Sequence, residues 1–86
     1  MSNTTQRPLY EIAREIRSDW SKQGKGINYG AKPYLDAMAS LDSIDSNYGM
    51  DSAKSVVCYF LANAGSYRGE TAKRVKAELK KMAGIR

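Results

Sequence analysis

The side chains best suited to do chemistry in this chain are the basic ones near its C-terminal end. Residues 1–67 hold seven basic and seven acidic side chains, whereas residues 68–86 hold seven basic and two acidic ones, so the net charge of +5 lies in the second range. On a helix, Lys73, Lys76 and Lys80 cluster within about 60°. Such a face suits phosphates or carboxylates. The predicted contact residues are Tyr67, Arg68, Lys73, Arg74, Lys76, Lys80 and Lys81.

The pattern leaves the partner of this basic helix open. Arg74 and Lys81 lie about 100° further round the helix, also away from its apolar stripe. The face could contact nucleic acid, or an acidic host protein or nucleoprotein. It could also be an ordinary solvated face whose lysines complement the negative C-terminal end of the helix dipole. Its exposed positions hold no Asn or Gln to read adenine, so base-specific recognition is not predicted.

Enzymatic and metal chemistry is not predicted. Histidine is absent, which removes the commonest general base and the usual partner of a Ser or Cys nucleophile. The single cysteine, Cys58, lies in an apolar stretch typical of packing. A calcium loop starting at Asp45 would need Gly at its sixth position and Glu at its twelfth, where Met50 and Val56 stand. We therefore expect a binding protein without a cofactor or metal.

Tyrosines form a second signal. Tyr29, Tyr48 and Tyr67 fall in predicted connections, and Tyr10 and Tyr59 lie off the apolar stripes of their helices. Amphipathic aromatic side chains are common anchors of protein interfaces. They also seal the ends of small bundles, which is the more ordinary interpretation. A cluster of them on the surface would indicate a homodimer or another partner patch.

Four amphipathic segments must position these side chains. Apolar residues at helical spacing predict helices over 8–22, from Pro33 to about Ile44, from an Asp51 cap to Gly65, and over about 70–83. The fold class is therefore all-α, a compact bundle of about four short helices. The predicted core residues are Leu9, Ile12, Ala13, Ile16, Trp20, Tyr34, Ala37, Met38, Leu41, Ala53, Val56, Val57, Phe60, Leu61, Ala64, Ala72, Val75, Leu79 and Met82.

The chain length predicts one domain over residues 1–86. We expect a flexible N-terminus over 1–7, a helical core over 8–83 and a short tail over 84–86. One cysteine permits no internal disulfide, which favours a reducing, cytosolic compartment. No signal peptide and no apolar run of membrane-spanning length is visible, so no membrane association is predicted.

Four strings resemble a group of small proteins from tailed bacteriophages and prophages. They read EIAREIRSDW, YGAKPYLDAM, YFLANA and RGETAKR, and the likeness extends over about residues 8–83. Tyr67 departs from it, because the resembled proteins tend to have Trp there, and Ala53 stands where they tend to have Gly. The group has no assigned activity to transfer. The resemblance implies a phage accessory protein in the bacterial host cytoplasm.

These observations predict a phage-type accessory protein, not an enzyme, whose basic C-terminal helix contacts nucleic acid or a host nucleoprotein. One alternative is an anti-defence inhibitor of the anti-CRISPR kind that acts by protein–protein contact. Such inhibitors often mimic phosphate with acidic residues, and here only the segment over residues 36–51 is acidic. The other alternative is a self-associating virion or assembly component.

Overall fold

Helices dominate the computed structural model, which describes residues 7–24, 26–45, 47–49 and 51–84. The described helices are α1 (Leu9–Trp20), α2 (Lys32–Met38), α3 (Ala53–Ala62) and α4 (Glu70–Ala83). Two short antiparallel strands, β1 (Asn47–Tyr48) and β2 (Asp51–Ser52), join α2 to α3. The predicted all-α bundle of about four short helices is confirmed. No helix in the described part of the chain is long and apolar enough to cross a bilayer.

The helices bury their apolar stripes in one core. On α1 all five predicted positions are buried, as are the four on α4. Trp20 lies at the centre, where the ring of Phe60 meets it edge-on at 6.2 Å between centroids. On α2 the prediction was less accurate, because Leu35 is buried whereas the predicted Tyr34 is only partly covered. Core packing rather than propensity therefore holds these short helices in place.

The element boundaries correct the sequence prediction at two helices. Helix α2 ends at Met38 instead of continuing towards Ile44, and tight turns then carry Leu41 into the core without helical backbone. The predicted Asp51 cap of α3 is wrong, because that residue lies in β2. Ser52 caps α3, and its hydroxyl accepts a hydrogen bond from the backbone N–H of Ser55.

The predicted flexible N-terminus needs one correction. Residues 1–6 lie outside the described residues, but Arg7 is described and is held by ion pairs to α1 and α4. Its guanidinium reaches Glu78 on α4 through two hydrogen bonds of 3.0 and 2.7 Å. The chain entering α1 is thereby tied to α4. Of the predicted tail, only Gly84 is described.

Candidate nucleic-acid interface

The turn before α4 is anchored by a buried aromatic side chain. Tyr67 is completely buried, and its ring stacks on Trp20 with centroids 4.9 Å apart and an angle of 18° between planes. Its hydroxyl donates a hydrogen bond of 2.9 Å to Asp19. Burial, followed by this bond to a carboxylate, raises the pKa of the Tyr67 hydroxyl above its ordinary value. The Tyr67 side chain is therefore part of the core, and its predicted contact with a partner stays a prediction.

Arg68 follows Tyr67, and hydrogen bonds hold its backbone while its side chain is exposed. Gln23, just beyond α1, donates from its amide nitrogen to the carbonyl oxygen of Arg68 at 2.6 Å. The same amide accepts from the backbone N–H of Arg68 at 3.4 Å. Gly69 follows with a φ of 113°, a conformation that a residue with a Cβ rarely adopts. Arg68 is thus displayed from a fixed point of the backbone.

Lys76 connects this turn to the middle of α4. Its ammonium group donates to the carbonyl oxygen of Tyr67 at 2.6 Å and lies 5.7 Å from the centroid of the Tyr67 ring. Partial burial, together with the nearby charges of Lys80 and Arg68, lowers the pKa of Lys76 below its ordinary value. Burial alone disfavours the charged form of a lysine, and the charges of Lys80 and Arg68 add to this effect.

We define the basic edge of α4 as Arg68, Lys73, Lys76 and Lys80. Lys73 and Lys80 are exposed, and around the helix axis each of them lies within about 60° of Lys76. In the part of the chain that the structure describes, no carboxylate lies within 4.0 Å of any of these four cationic groups. The edge therefore carries a concentrated positive charge that is available to a ligand.

The other edge of α4 is electrically balanced. Arg74 pairs with Glu15 of α1, and Glu15 also pairs with Arg7 at 2.8 Å. Burial raises the pKa of Glu15, but hydrogen bonds from Arg7 and Arg74 outweigh it, and the net pKa is lowered. Arg74 thus joins α1 to α4 through this ion pair, and its contact with a partner stays a prediction. Of the cations predicted further round the helix, Lys81 is exposed.

The acidic segment between α2 and α3 does not neutralise the basic edge. Asp36 pairs with Arg17 on α1, with 2.5 Å between nitrogen and oxygen. Asp42, Asp45 and Asp51 are exposed, and none of them forms an ion pair with another described residue. The two charged regions of the chain remain separate in the fold.

An open groove of about 690 Å³ adjoins the basic edge. It lies between the end of α1 and the turn before α4, and Trp20, Gln23, Asn28, Tyr29 and Arg68 contribute to its lining. Arg68 belongs both to the groove and to the basic edge. Tyr29 is 90% exposed, far more than the other tyrosines whose exposure is described. The groove therefore combines a cation and an aromatic ring.

A second aromatic surface lies on α2 and α3. The rings of Tyr34 and Tyr59 stack with centroids 5.4 Å apart, and 54% of Tyr59 is exposed. Pro33, Ala37 and neighbouring side chains complete a shallow depression of about 450 Å³ beside them. Of the tyrosines predicted as anchors, the side chain of Tyr48 lies outside the described residues. The tyrosines thus divide between the core and two different surfaces.

Comparisons of the chain with models of known families, with curated proteins and with solved structures found no significant match. The site must therefore be interpreted from its own geometry. The structure brings together four of the seven predicted contact residues, and it assigns Tyr67 and Arg74 to structural contacts. Sequence patterns do not reveal the role of Gln23, because its hydrogen-bond partner is 45 positions away. Only the fold shows that pairing.

Proposed function

We propose that this chain is a non-enzymatic nucleic-acid-binding protein that holds phosphate groups on the basic edge of α4. The observation that carries the proposal is the placement of Lys73, Lys76 and Lys80 on one side of α4, beside Arg68, with no ion pair within 4.0 Å to a described carboxylate. Phosphate contacts supply most of the affinity of proteins that bind nucleic acid without sequence preference. The basic edge is suited to that kind of contact.

The helix dipole does not account for this arrangement. Lys80 and Lys81 lie in the last turn of α4, where positive charge is favourable. Arg68 and Lys73 lie at the opposite end, where the helix is already positive and further cations are unfavourable. Gly69 at the N-cap offers no side-chain acceptor to the first N–H groups.

A phage setting is part of the proposal. The resemblance over residues 8–83 supports an accessory protein that acts in the cytoplasm of a bacterial host. A small protein with one positive edge would bind along nucleic acid chiefly through its phosphate groups, which carry no sequence information. Such a protein would act stoichiometrically, by covering or organising nucleic acid.

The experiment is a salt titration of binding with a matched pair of double variants. Lys73→Gln with Lys80→Gln removes two exposed cations from the basic edge and leaves Lys76 in its contact with the turn. Arg14→Gln with Lys54→Gln removes the same charge from exposed positions on α1 and α3. Fluorescence anisotropy with labelled oligonucleotides, from about 50 to 200 mM salt, gives the slope of log affinity against log salt.

We expect the first variant to reduce that slope by about 1.4 on single strands or about 1.8 on duplex, because each lost phosphate contact contributes about 0.7 or 0.9. The control pair should change it by much less than this. Equal effects of the two variants would mean that only net charge matters. Absence of binding at low salt would contradict the proposal and would favour an acidic protein as the partner.

Self-association is the second candidate, and the stacked Tyr34 and Tyr59 rings favour it. An exposed aromatic pair beside a shallow depression is a common anchor of protein interfaces. Sedimentation equilibrium of the wild type and of Tyr59→Ser tests it directly. Dimers that weaken on this substitution and ignore Lys73→Gln with Lys80→Gln would support an assembly role. A monomer at all accessible concentrations would exclude it.

A further inference from the structure

We propose that the preferred nucleic acid is single-stranded, and that one unpaired base enters the groove beside Arg68 and stacks on Tyr29. This inference rests on the proposed function, because it names the form of nucleic acid that the basic edge holds. It adds a second kind of contact, made to a base rather than to a phosphate. The groove, the exposed ring and the charge distribution carry it together.

Tyr29 is exposed although the backbone around it is fixed. The Asn28 side chain accepts a hydrogen bond from the N–H of Gly30 at 3.0 Å and donates one to the carbonyl oxygen of Asn63 at 3.1 Å. A Cβ on Gly30 would lie 3.0 Å from the side-chain oxygen of Asn63, so the junction is tight. The ring is therefore displayed from a fixed part of the backbone, and with 90% of it exposed it is accessible to an incoming flat ligand.

Arg68 contributes to the same groove and is pre-organised in a similar way. Its backbone is held by Gln23 through both its N–H and its carbonyl group, whereas its side chain is exposed. Arg68 is also close enough to Lys76 to influence its pKa. A strand that lies along the basic edge therefore reaches the groove at Arg68, where phosphate and base contacts can occur side by side.

The groove has dimensions suited to a base. Its volume of about 690 Å³ falls within the roughly 300–1,000 Å³ that is typical of small-ligand sites. Gly24 and Gly26 leave part of the lining without side chains, and a Cβ at either position would meet no atom within 4 Å.

Only a single strand can use the ring of Tyr29 as a stacking partner. Base faces inside a duplex are already covered by their neighbours, whereas an unpaired base offers its face to an aromatic side chain. Positive grooves combined with stacking aromatic residues are the usual means of binding single strands without sequence preference. A protein that contacted phosphates alone would gain nothing from Tyr29.

The test measures the affinity for a labelled single strand of about 16 nucleotides and for a duplex of the same length. It is made with the wild type and with the variants Tyr29→Ala, Tyr29→Phe and Tyr10→Ala. Tyr10 is a matched control, because it is an exposed tyrosine near the other end of α1. Stacking on one base is worth about 1–3 kcal/mol, so Tyr29→Ala should weaken single-strand binding by at least about fivefold. Tyr29→Phe keeps a stacking ring and should restore it.

We expect duplex affinity to change less than about twofold in all three variants, because none of them removes a cation. If single strand and duplex bind equally and Tyr29→Ala has no effect, this inference is wrong and the proposed function stands. If neither form binds, the proposed function itself is wrong. Because Tyr29 is almost fully exposed, its variants should fold like the wild type. Circular dichroism spectra of the variants and the wild type check this expectation.

Discussion

Replacing Tyr67 tests whether this residue is a core anchor or a contact for a partner. Tyr67→Phe removes the hydroxyl that donates to Asp19 at 2.9 Å and keeps the ring stacked on Trp20. A hydrogen bond to a charged group contributes about 1.5–3 kcal/mol. Asp19 is only half-buried and regains water, so we expect the lower end of this range. For a domain of this size, that is a fall in Tm of about 6–12 °C.

Tyr67→Ala should be far more damaging. Truncating a buried aromatic ring leaves a cavity and costs about 3–5 kcal/mol. A chain of 86 residues has a total free energy of unfolding of about 4–13 kcal/mol. The Ala variant should therefore lose between about a quarter and all of its stability. The ring of Trp20 loses its stacked neighbour, and Lys76 loses the ring near its ammonium group.

The assay is urea unfolding followed by circular dichroism, with Asp19→Asn and the double variant completing a thermodynamic cycle. Tyr29→Phe serves as the control, because the exposed ring should change the free energy of unfolding by less than about 0.5 kcal/mol. The reasoning would be refuted if Tyr67→Phe and Tyr67→Ala both kept wild-type stability and lost affinity for nucleic acid. Tyr67 would then act at the surface.

Three further changes test how the fold positions the site. The pKa of Glu15 is lowered in the folded chain, so acid below its ordinary pKa of 4.5 should progressively remove the stability that this carboxylate gains from Arg7 and Arg74. Thermal melts between about pH 3 and 6 should therefore show a weaker pH dependence in Glu15→Gln than in the wild type, and an unchanged profile would contradict the pairing. Gly69→Ala forces a side chain into a φ of 113° and should cost about 1–3 kcal/mol in urea unfolding, so a neutral result would show that the turn relaxes. Ser52→Ala removes the cap of α3 and should cost about 1 kcal/mol by the same measurement, whereas an effect of Asp51→Ala alone would restore Asp51 as the cap.

Periodic signals made the helices predictable. The predicted span of the last helix, 70–83, matches α4, because glycines stand on both sides of its apolar stripe. All five predicted core positions of α1 are buried, because their spacing places them on one face of the helix. The prediction was wrong for α2, where Leu41 continued the apolar spacing past the end of the helix. A buried turn can satisfy the same spacing, so periodicity alone cannot place a helix end.

The site was harder to predict because it depends on tertiary contacts. The sequence identified Lys73, Lys76 and Lys80 as one helical face, since their spacing is local. It could not show that Arg74 is neutralised by Glu15, which is 59 positions away. It also treated Tyr67 as exposed, because a single aromatic residue in a turn has no periodicity to reveal which way its ring points. Long-range partners decided which cations are free.

The most direct test of the basic edge is an NMR titration of the labelled protein with a single-stranded oligonucleotide. Backbone amide shifts report which residues approach the ligand. We expect the largest changes at Arg68, Lys73 and Lys80 and around Tyr29, with little change around Arg74, and we expect added salt to reverse them. Shifts confined to the α2 and α3 surface around Tyr59, or shifts that salt does not reverse, would contradict phosphate binding by the basic edge.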